Sequence, residues 1–321
     1  MREDQRMTEA TPDARNEPKL HTLQVNGISM RVAEQGSGPL VLFCHGWPES
    51  WYSWKHQLAA LAGAGYRAVA PDMRGYGGTD APVAIDQYTL LHLVGDMVGL
   101  VKALGETQAV IVGHDWGAPV AWTAALLRPD LFHAVAGMSV PYTPPSPNEP
   151  IAALEKLGVH NFYMQYFQTP GVAEAELEAD VESSLRRIYF SGSGDGPEGI
   201  TFGMLQPGKG VLANTVDPDT LPAWLPREDL AYFTGEFKRD AAALVINEDR
   251  TVVDVARSLG VGEGTLGNWV RQARIDRGER AGLTTSEKAE LAELRKENAR
   301  LRMERDLLKR ATAFWVKESG Q

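Results

Sequence analysis

The sequence has little of what marks secreted and membrane-bound proteins. Its 321 residues include one cysteine, Cys44, so no disulfide can form within the chain. No run approaches the roughly 20 consecutive apolar residues that a membrane-spanning helix requires. The polar first residues also lack the apolar stretch of a signal peptide. We therefore expect a disordered N-terminus over residues 1–19, a cytoplasmic location and no membrane partner.

Histidine and proline are both missing from the later part of the chain. The seven histidines all lie at or before His160, and no proline follows Lys238. Residues 238–321 carry 17 Lys and Arg against 14 Asp and Glu, whereas the residues before them carry 15 against 28. Such a shift in composition and charge indicates two parts with different origins or partners.

Apolar runs predict the organisation of the chain. As far as Pro141, short runs alternate with helix-like stretches, which is typical of βα units that build a parallel sheet. The predicted strands are Thr22–Ala33, Leu40–Cys44, Tyr66–Ala70, Ala109–Val112 and Ala134–Val140. Later helical stretches such as Ala175–Tyr189 are separated by prolines and a Gly-rich segment, which indicates an inserted cap. The predicted units are a core at 20–141, a cap at 142–238, a three-helix unit at 239–277 and a coiled coil at 283–316.

A candidate nucleophile lies where the fourth predicted strand ends, in Gly113-His114-Asp115-Trp116-Gly117. Flanking glycines allow the strained turn that lifts a central side chain clear of a sheet, so Asp115 would act as a carboxylate nucleophile. Asp followed by Gly in a loop is alternatively ordinary turn chemistry. Two further motifs, His45–Ser50 and Asp72–Gly78, each follow a predicted strand in the expected order. Together the three motifs favour the catalytic interpretation.

Four blocks of the sequence resemble the soluble epoxide hydrolases of the α/β-hydrolase superfamily. The blocks are His45–Trp54, Asp72–Asp80, Gly113–Trp122 and Tyr163–Glu178. The resemblance implies that Asp115 attacks an epoxide carbon to form an ester, without metal or cofactor. It also implies that the backbone N–H groups of Trp47 and Trp116 form the oxyanion hole and that Tyr163 donates to the epoxide oxygen. A dehalogenase would use the same Asp with Trp116, but the Trp47–Ser50 string and the Tyr163 segment favour an epoxide.

The same family also needs a histidine base, an orienting acid and a second cap tyrosine, all beyond the first part of the cap. Here Asp240 and the residues after it replace that segment, and no histidine follows His160. His45 and His114 belong to the strand-end motifs, so we do not expect either to be the base. The predicted fold class is therefore α/β, a truncated α/β-hydrolase sheet with a helical cap, missing its last strands, followed by an all-α tail. Turnover is expected to be lost; the alternative is an active hydrolase with a recruited base, converting epoxides to diols.

The tail pattern predicts a helix-turn-helix. Helical spacing joins Phe237 to Val245, Thr251–Asp254 resembles a capping box before Val252–Leu259, and Gly260–Gly262 supplies a turn before Glu263–Arg274. Leu266, Trp269 and Val270 are expected to face inward. The candidate DNA-contacting residues on the last helix are Thr265, Asn268, Arg271 and Arg274. The alternative is a solvated helix face.

A heptad pattern follows, and it predicts a leucine zipper and a homodimer. Its apolar positions are Leu291, Leu294, Leu301 and Leu308, and Asn298 occupies an inner position, where Asn favours a parallel in-register pair. Oppositely charged residues such as Glu290 and Arg295 flank it at positions that meet across a dimer. A single amphipathic helix packed on the chain explains the leucines but not these pairs.

From Glu236 to the end, the chain resembles the first-frame protein of IS-three family insertion-element transposases. The resemblance lies in Glu236–Ala241, Leu259–Val270, Asp276–Arg280 and Leu301–Lys309. It implies a zippered dimer that binds the element's terminal repeats, with the second-frame transposase protein as a catalytic partner. The string Glu236–Arg239 fits both resemblances, which predicts a fusion at that point. A fused relic with neither activity is a third possibility.

Overall fold

The computed structural model describes most of the chain. The described residues are 17–82, 84–144, 150–198, 203–246, 251–259, 263–288 and positions 290, 291, 294, 295, 297, 298, 300 and 301. The first strand already begins at Lys19, and residues 1–16 of the expected N-terminal disorder fall outside the described residues. Within the described part of the chain, no helix is both long and apolar enough to cross a bilayer.

Six strands form one sheet in the order β1-β2-β4-β3-β5-β6, in which β3 to β6 run parallel. Their bounds are β1 Lys19–Val25, β2 Ile28–Gly36, β3 Leu40–Cys44, β4 Arg67–Pro71, β5 Ala109–His114 and β6 Phe132–Met138. The prediction of one strand over Thr22–Ala33 is wrong. Asn26 and Gly27 both have positive φ and turn the chain, so two antiparallel strands pair with Val25 opposite Ile28. The other predicted strands agree to within one or two residues.

Helices cover both faces of the sheet. The helices are α1 Lys55–Gly63, α2 Leu90–Ala103, α3 Gly117–Leu127, α4 Pro150–Lys156, α5 Tyr163–Tyr166, α6 Val172–Leu177, α7 Val181–Ser191, α8 Arg227–Ile246, α9 Val252–Leu259 and α10 Glu263–Asp276. One core cluster packs α2 and α3 on the sheet, and a second packs α1 on the opposite face. All five residues of β3 are buried in consequence.

The predicted helical stretch Ala175–Tyr189 is two helices rather than one. The chain leaves α6 after Leu177, and Asp180 then caps α7 by accepting a hydrogen bond from the Ser183 backbone N–H at 3.1 Å. An Asp side chain at such a position satisfies a free helix-end N–H group, which favours a new start over a continuous helix. The break brings Glu178 into the bend between the two helices.

One helix, α8, crosses the predicted boundary between cap and tail. Its first part contributes Leu230 and Phe233 to the cap cluster, and its last part contributes Ala241, Ala242 and Val245 to a separate cluster with α9 and α10. The helix predicted to open the tail near Glu236 is therefore the second half of a longer one. Epoxide-hydrolase-like and transposase-like segments share this helix.

The three helices α8, α9 and α10 form the predicted helix-turn-helix. Leu266 and Val270 are buried in its core and Trp269 packs against it, as expected. Thr251 caps α9 by accepting from the Asp254 backbone N–H at 3.0 Å, and its hydroxyl donates to the Asp254 carboxylate. The turn at Gly260–Gly262 lies outside the described residues.

The zipper remains a prediction. Described positions from 285 to 301 are helical, and Leu294 and Leu301 are each about half exposed, as a seam without a partner would be. Leu291 is partly buried and Asn298 is exposed, whereas Leu308 lies outside the described residues.

The edge of the sheet at β6 is open among the described residues. β6 pairs with β5 on one side only, and most of its residues are exposed, including Met138 at its end. Leu126 and Leu127 at the end of α3 are also exposed. Such apolar surface beside an edge strand is what a sheet that lacks its next strands leaves uncovered.

Candidate active site and nucleic-acid interface

Asp115 sits on a sharp turn between β5 and α3. Its φ of 49° lies in the left-handed region, which is strained for a residue other than glycine. Gly117 follows directly against the backbone of Cys44, where a side chain would collide, and Gly46 is equally close to the Asp115 carboxylate. The two glycines therefore admit the turn and the approach of the neighbouring loop, which is the geometry of a nucleophile elbow.

Two loops at the carboxyl ends of the strands hold Asp115 from either side. The Trp47 backbone N–H donates to Asp115 Oδ1 at 2.8 Å, and the Asp115 backbone N–H donates to Ser139 Oγ at 3.2 Å. The Trp116 residue caps the N-terminus of α3, where backbone N–H groups lack partners within the helix. The structure thus brings together Trp47, Asp115 and Trp116. Ser139 was missed from the sequence, although its place after β6, the strand next to β5, is a signal for it.

Tyr163 reaches this site from the cap helix α5. Its hydroxyl accepts a hydrogen bond from Trp116 Nε1 at 3.1 Å, and its ring stacks on Trp47 with centroids 6.5 Å apart. Burial and the nearby Asp115 carboxylate raise the pKa of Tyr163. The phenol therefore keeps its proton across neutral pH and can donate it to an oxygen that becomes negative.

His45 is a structural residue. It is fully buried, its Nε2 accepts from the Met73 backbone N–H at 2.9 Å, and its Nδ1 lies 2.8 Å from the Gly46 carbonyl oxygen. Burial lowers the pKa of His45, so the ring is neutral with its proton on Nδ1. Both ring nitrogens are occupied, which leaves neither to activate a water molecule.

His114 pairs with Glu49 beside the elbow. Its Nδ1 lies 3.3 Å from Glu49 Oε2, and this hydrogen bond raises the pKa of His114. Burial alone would raise the pKa of Glu49, but the bond to His114 and the Gly46 backbone N–H lower it. The contact therefore favours the charged forms of both groups, beside Asp115.

A buried ionic cluster ties this site to α8. Asp72 accepts from the Trp51 backbone N–H at 3.0 Å and pairs with Arg31 of β2, which also pairs with Glu236 of α8. Burial alone would lower the pKa of Arg31, but the two carboxylates raise it. Glu236 also pairs with Arg239. The sequence motif around Asp72 pointed to this loop, whereas the partnership of Arg31 with Glu236 joins residues 205 positions apart and left no local signal.

The candidate DNA-facing residues lie on the exposed side of α10. Thr265, Asn268, Arg271 and Arg274 are all exposed, and their spacing of three residues spreads them over roughly half of the helix circumference. Arg271 donates to the Asn268 side-chain oxygen at 2.8 Å. The opposite side of α10 carries Leu266 and Val270 into the core. No cluster of three or more metal-ligating side chains occurs among the residues that the structure describes.

Comparison with known proteins identifies the larger part. A family profile described as alpha/beta hydrolase fold matches residues 39–192. Epoxide hydrolase 2 of Siraitia grosvenorii is 46% identical over 220 residues, which cover 68% of this chain and 67% of that protein. Epoxide hydrolase A of Mycobacterium tuberculosis is 43% identical over 226 residues, which cover 69% of this chain and 70% of that protein. The chain belongs to the epoxide hydrolases.

Structural similarity agrees with that assignment for the epoxide hydrolase part. The crystal structure of epoxide hydrolase A from Mycobacterium thermoresistibile matches with a TM-score of 0.66 and 38% identity, over 79% of this chain and 76% of that one. A second profile, described as transposase, matches residues 231–305. The protein is therefore a chimera in which an epoxide hydrolase continues, through α8, into a transposase helix-turn-helix region.

Proposed function

We propose that this chimera binds DNA in a sequence-specific manner through α10. The observation that carries the proposal is the set of four exposed polar side chains on the last helix of a packed helix-turn-helix. Thr265 and Asn268 stand nearer the start of α10, where side chains of a recognition helix reach base edges. Arg271 and Arg274 follow toward its end and are suited to phosphate contacts. By its transposase match, the target is the terminal repeat of an insertion element, bound as a homodimer with the second-frame catalytic protein as a further partner.

A titration of the full chain with labelled duplexes tests this proposal. We expect a duplex carrying the terminal repeat of a related element to bind more tightly than a random duplex of equal length. Asn268→Ala should lose most of that preference, since a good side-chain contact to a base is worth roughly 1–3 kcal/mol. Arg271→Ala should weaken the binding of both duplexes alike. It should also reduce the slope of log affinity against log salt concentration by about one.

Lys209→Ala is the matched control, because Lys209 is an exposed cation in the epoxide hydrolase part. It should bind both duplexes as the parent does. Binding without preference for the repeat, or equal loss in the Lys209 and Arg271 variants, would overturn sequence-specific recognition by α10. The mass of the complex in solution separates a dimer from a monomer.

We further propose that the epoxide hydrolase part opens epoxides once and does not turn over. An oxygen of the Asp115 carboxylate attacks an epoxide carbon, the ring C–O bond breaks, and the Tyr163 hydroxyl transfers its proton to the leaving oxygen. The product is a hydroxyalkyl ester of Asp115. Trp47 and Trp116 supply N–H groups to the other Asp115 oxygen, where charge develops when water attacks the ester.

The proposal that hydrolysis of the Asp115 ester is lost rests on the positions of the histidines. Hydrolysis needs a base against a water molecule, yet no histidine follows His160, and His45 has both ring nitrogens engaged. The alternative is a recruited base that restores conversion of epoxides to diols. His114, paired with Glu49 next to Asp115, is the specific candidate for that alternative.

Intact-mass measurement after incubation with an aryl epoxide, such as styrene oxide, separates these outcomes. Single-turnover chemistry predicts one persistent adduct per chain, absent from Asp115→Asn and slowed in Tyr163→Phe. Diol produced well beyond one equivalent would refute it, and its loss in His114→Ala would identify the recruited base. Circular dichroism of each variant establishes that the fold is retained.

A further inference from the structure

A cavity lies between the core, the cap and α8. It has a volume of about 270 Å³. The core contributes the loops that carry Trp47 and Tyr76, the cap contributes α7, and α8 contributes Phe233. Because α8 continues into the helix-turn-helix, one wall of the cavity belongs to the helix that joins the two parts.

The cavity is distinct from the candidate site for epoxide opening. Asp115 and Tyr163 do not line it, whereas Trp47 both lines it and stacks on the Tyr163 ring. Trp47 is therefore a neighbour of both the cavity and the reacting carboxylate. Most of the lining is apolar, including Leu185 and Ile188 of α7.

One polar group in the lining lacks a partner. Glu178, in the bend between α6 and α7, is 8% exposed, and its Oε2 has no hydrogen-bond partner among the described residues. Leaving a buried carboxyl oxygen unpaired is costly, so such a group calls for an explanation. A bound ligand that donates a hydrogen bond to this oxygen is one such explanation.

The charges around Glu178 indicate which kind of hydrogen-bond donor suits its unpaired oxygen. Glu49 and Glu236 also line the cavity, but each already has a cationic or potentially cationic partner, His114 for the first and Arg31 for the second. Among the lining residues that the structure describes there is no Lys, Arg or His. Glu174, whose side chain caps α6, adds a further negative charge near Glu178. The negative charge of Glu174 beside the unpaired Glu178 oxygen favours a cation over a neutral donor.

Glu178 itself holds a proton in the empty cavity at neutral pH. Burial, with a contribution from Glu174, raises the pKa of Glu178 to about 8. At pH 7 about nine tenths of the molecules are then protonated at this carboxyl. A bound cation would reverse this and drive the proton off.

We propose that this cavity binds a small apolar primary amine, whose ammonium group pairs with the Glu178 carboxylate. The apolar body of the ligand lies against Leu185, Ile188 and Phe233. Binding converts the protonated carboxyl to a carboxylate, so close to one proton leaves for solvent as each ammonium ion enters near pH 7. No bond to carbon is made or broken.

Isothermal titration calorimetry of the full chain with 2-phenylethylamine at pH 7 tests the site. Titrations in buffers with different ionisation enthalpies count the protons released. We expect saturable binding to one site with release of close to one proton, and at least tenfold weaker binding of 2-phenylethanol with no proton release. Glu178→Gln should weaken the amine at least tenfold and abolish proton release.

Three further variants keep the test decisive. Glu182→Gln, an exposed position on α7, should match the parent, and Asp115→Asn should also bind the amine unchanged. Ile188→Trp should remove binding by filling the cavity while leaving Glu178 intact. Absence of saturable binding, amine binding without proton release, or loss of binding in Asp115→Asn would each overturn the proposal.

Discussion

The two parts of this chain differ in how far apart their packing partners lie in the sequence. In the epoxide hydrolase part, β2 pairs with β4 and β3 with β5, so each strand depends on segments distant along the chain. In the helix-turn-helix core, the buried residues that the structure describes all fall between Ala241 and Val270, and Ala273 packs against them. A helical unit of this kind can be moved whole into another gene. A sheet cut short leaves an open edge, as β6 does here.

The parts are nevertheless joined by more than a linker. Helix α8 packs in both, and Glu236 anchors its middle to Arg31 of the sheet. The core of the helix-turn-helix is thus built from neighbouring segments, but α8 attaches it to a sheet whose β6 edge is open among the described residues. Mutations can test whether a loss of stability stays within one part or also reaches the other part through α8.

The largest effect is expected from Arg31→Met, which acts on both parts. The change leaves the buried Asp72 without the Arg31 cation, and it leaves the buried Glu236 with Arg239 alone. Breaking a buried ion pair in this way costs about 3–5 kcal/mol. We expect an equivalent loss in the free energy of unfolding and faster hydrogen exchange in β2 and α8 together.

Arg128→Met is the control for that change, because Arg128 pairs with Asp130 on the surface. An exposed pair contributes little to stability, because water screens the charges and ordering two mobile side chains costs entropy. Equal loss of stability in the two variants would show that the cluster does not anchor α8. Hydrogen exchange resolved by segment is the suitable measurement, since a two-part chain need not unfold in one step.

A smaller and more local effect is expected from Leu266→Ala. Leu266 is fully buried in the helix-turn-helix core, where replacing a leucine with alanine costs roughly 2–5 kcal/mol. Exchange should rise in α9 and α10 while β3, β5 and α3 keep the protection of the parent. The exposed Leu157 supplies the control substitution, which should change neither region. Faster hydrogen exchange throughout the sheet would mean that the stability of the epoxide hydrolase part depends on the helix-turn-helix.

Much of the fold could be predicted because apolar runs bounded by turns mark buried strands. β3, β5 and the two later tail helices were found in this way. The hairpin between β1 and β2 was missed because one alternating run continues through Asn26 and Gly27, although these residues favour a tight turn. The continuity of α8 was missed because the boundary was drawn where one resemblance gives way to another, and a change of ancestry does not require a change of backbone.

The residues of the candidate sites also fall into those that the sequence could predict and those that it could not. Asp115, Trp47 and Tyr163 lie in sequence motifs whose residue types report their chemistry. Arg31 and Glu178 gain their roles from partners or empty space supplied by distant segments, and no local pattern records this. A glutamate in a helical cap is ordinarily a solvated residue, so burial had to be observed.

The smallest expected effect concerns Glu178 and depends on pH. Because the pKa of Glu178 is raised from 4.5 to about 8, the folded state binds more protons than the unfolded state between these values. Stability from this group is therefore present at low pH and declines as the pH rises through that range, levelling off above it. Glu178→Gln mimics the protonated form and removes the decline. Relative to the parent, the variant should gain on the order of 1–3 kcal/mol in the free energy of unfolding between pH 5 and pH 9. Urea unfolding at pH 5, 7 and 9 measures the gain, with Glu182→Gln as the exposed control on the same helix. A stability difference between variant and parent that stays constant with pH would mean that Glu178 titrates as an ordinary surface carboxyl and that the cavity beside α8 holds no protonated acid.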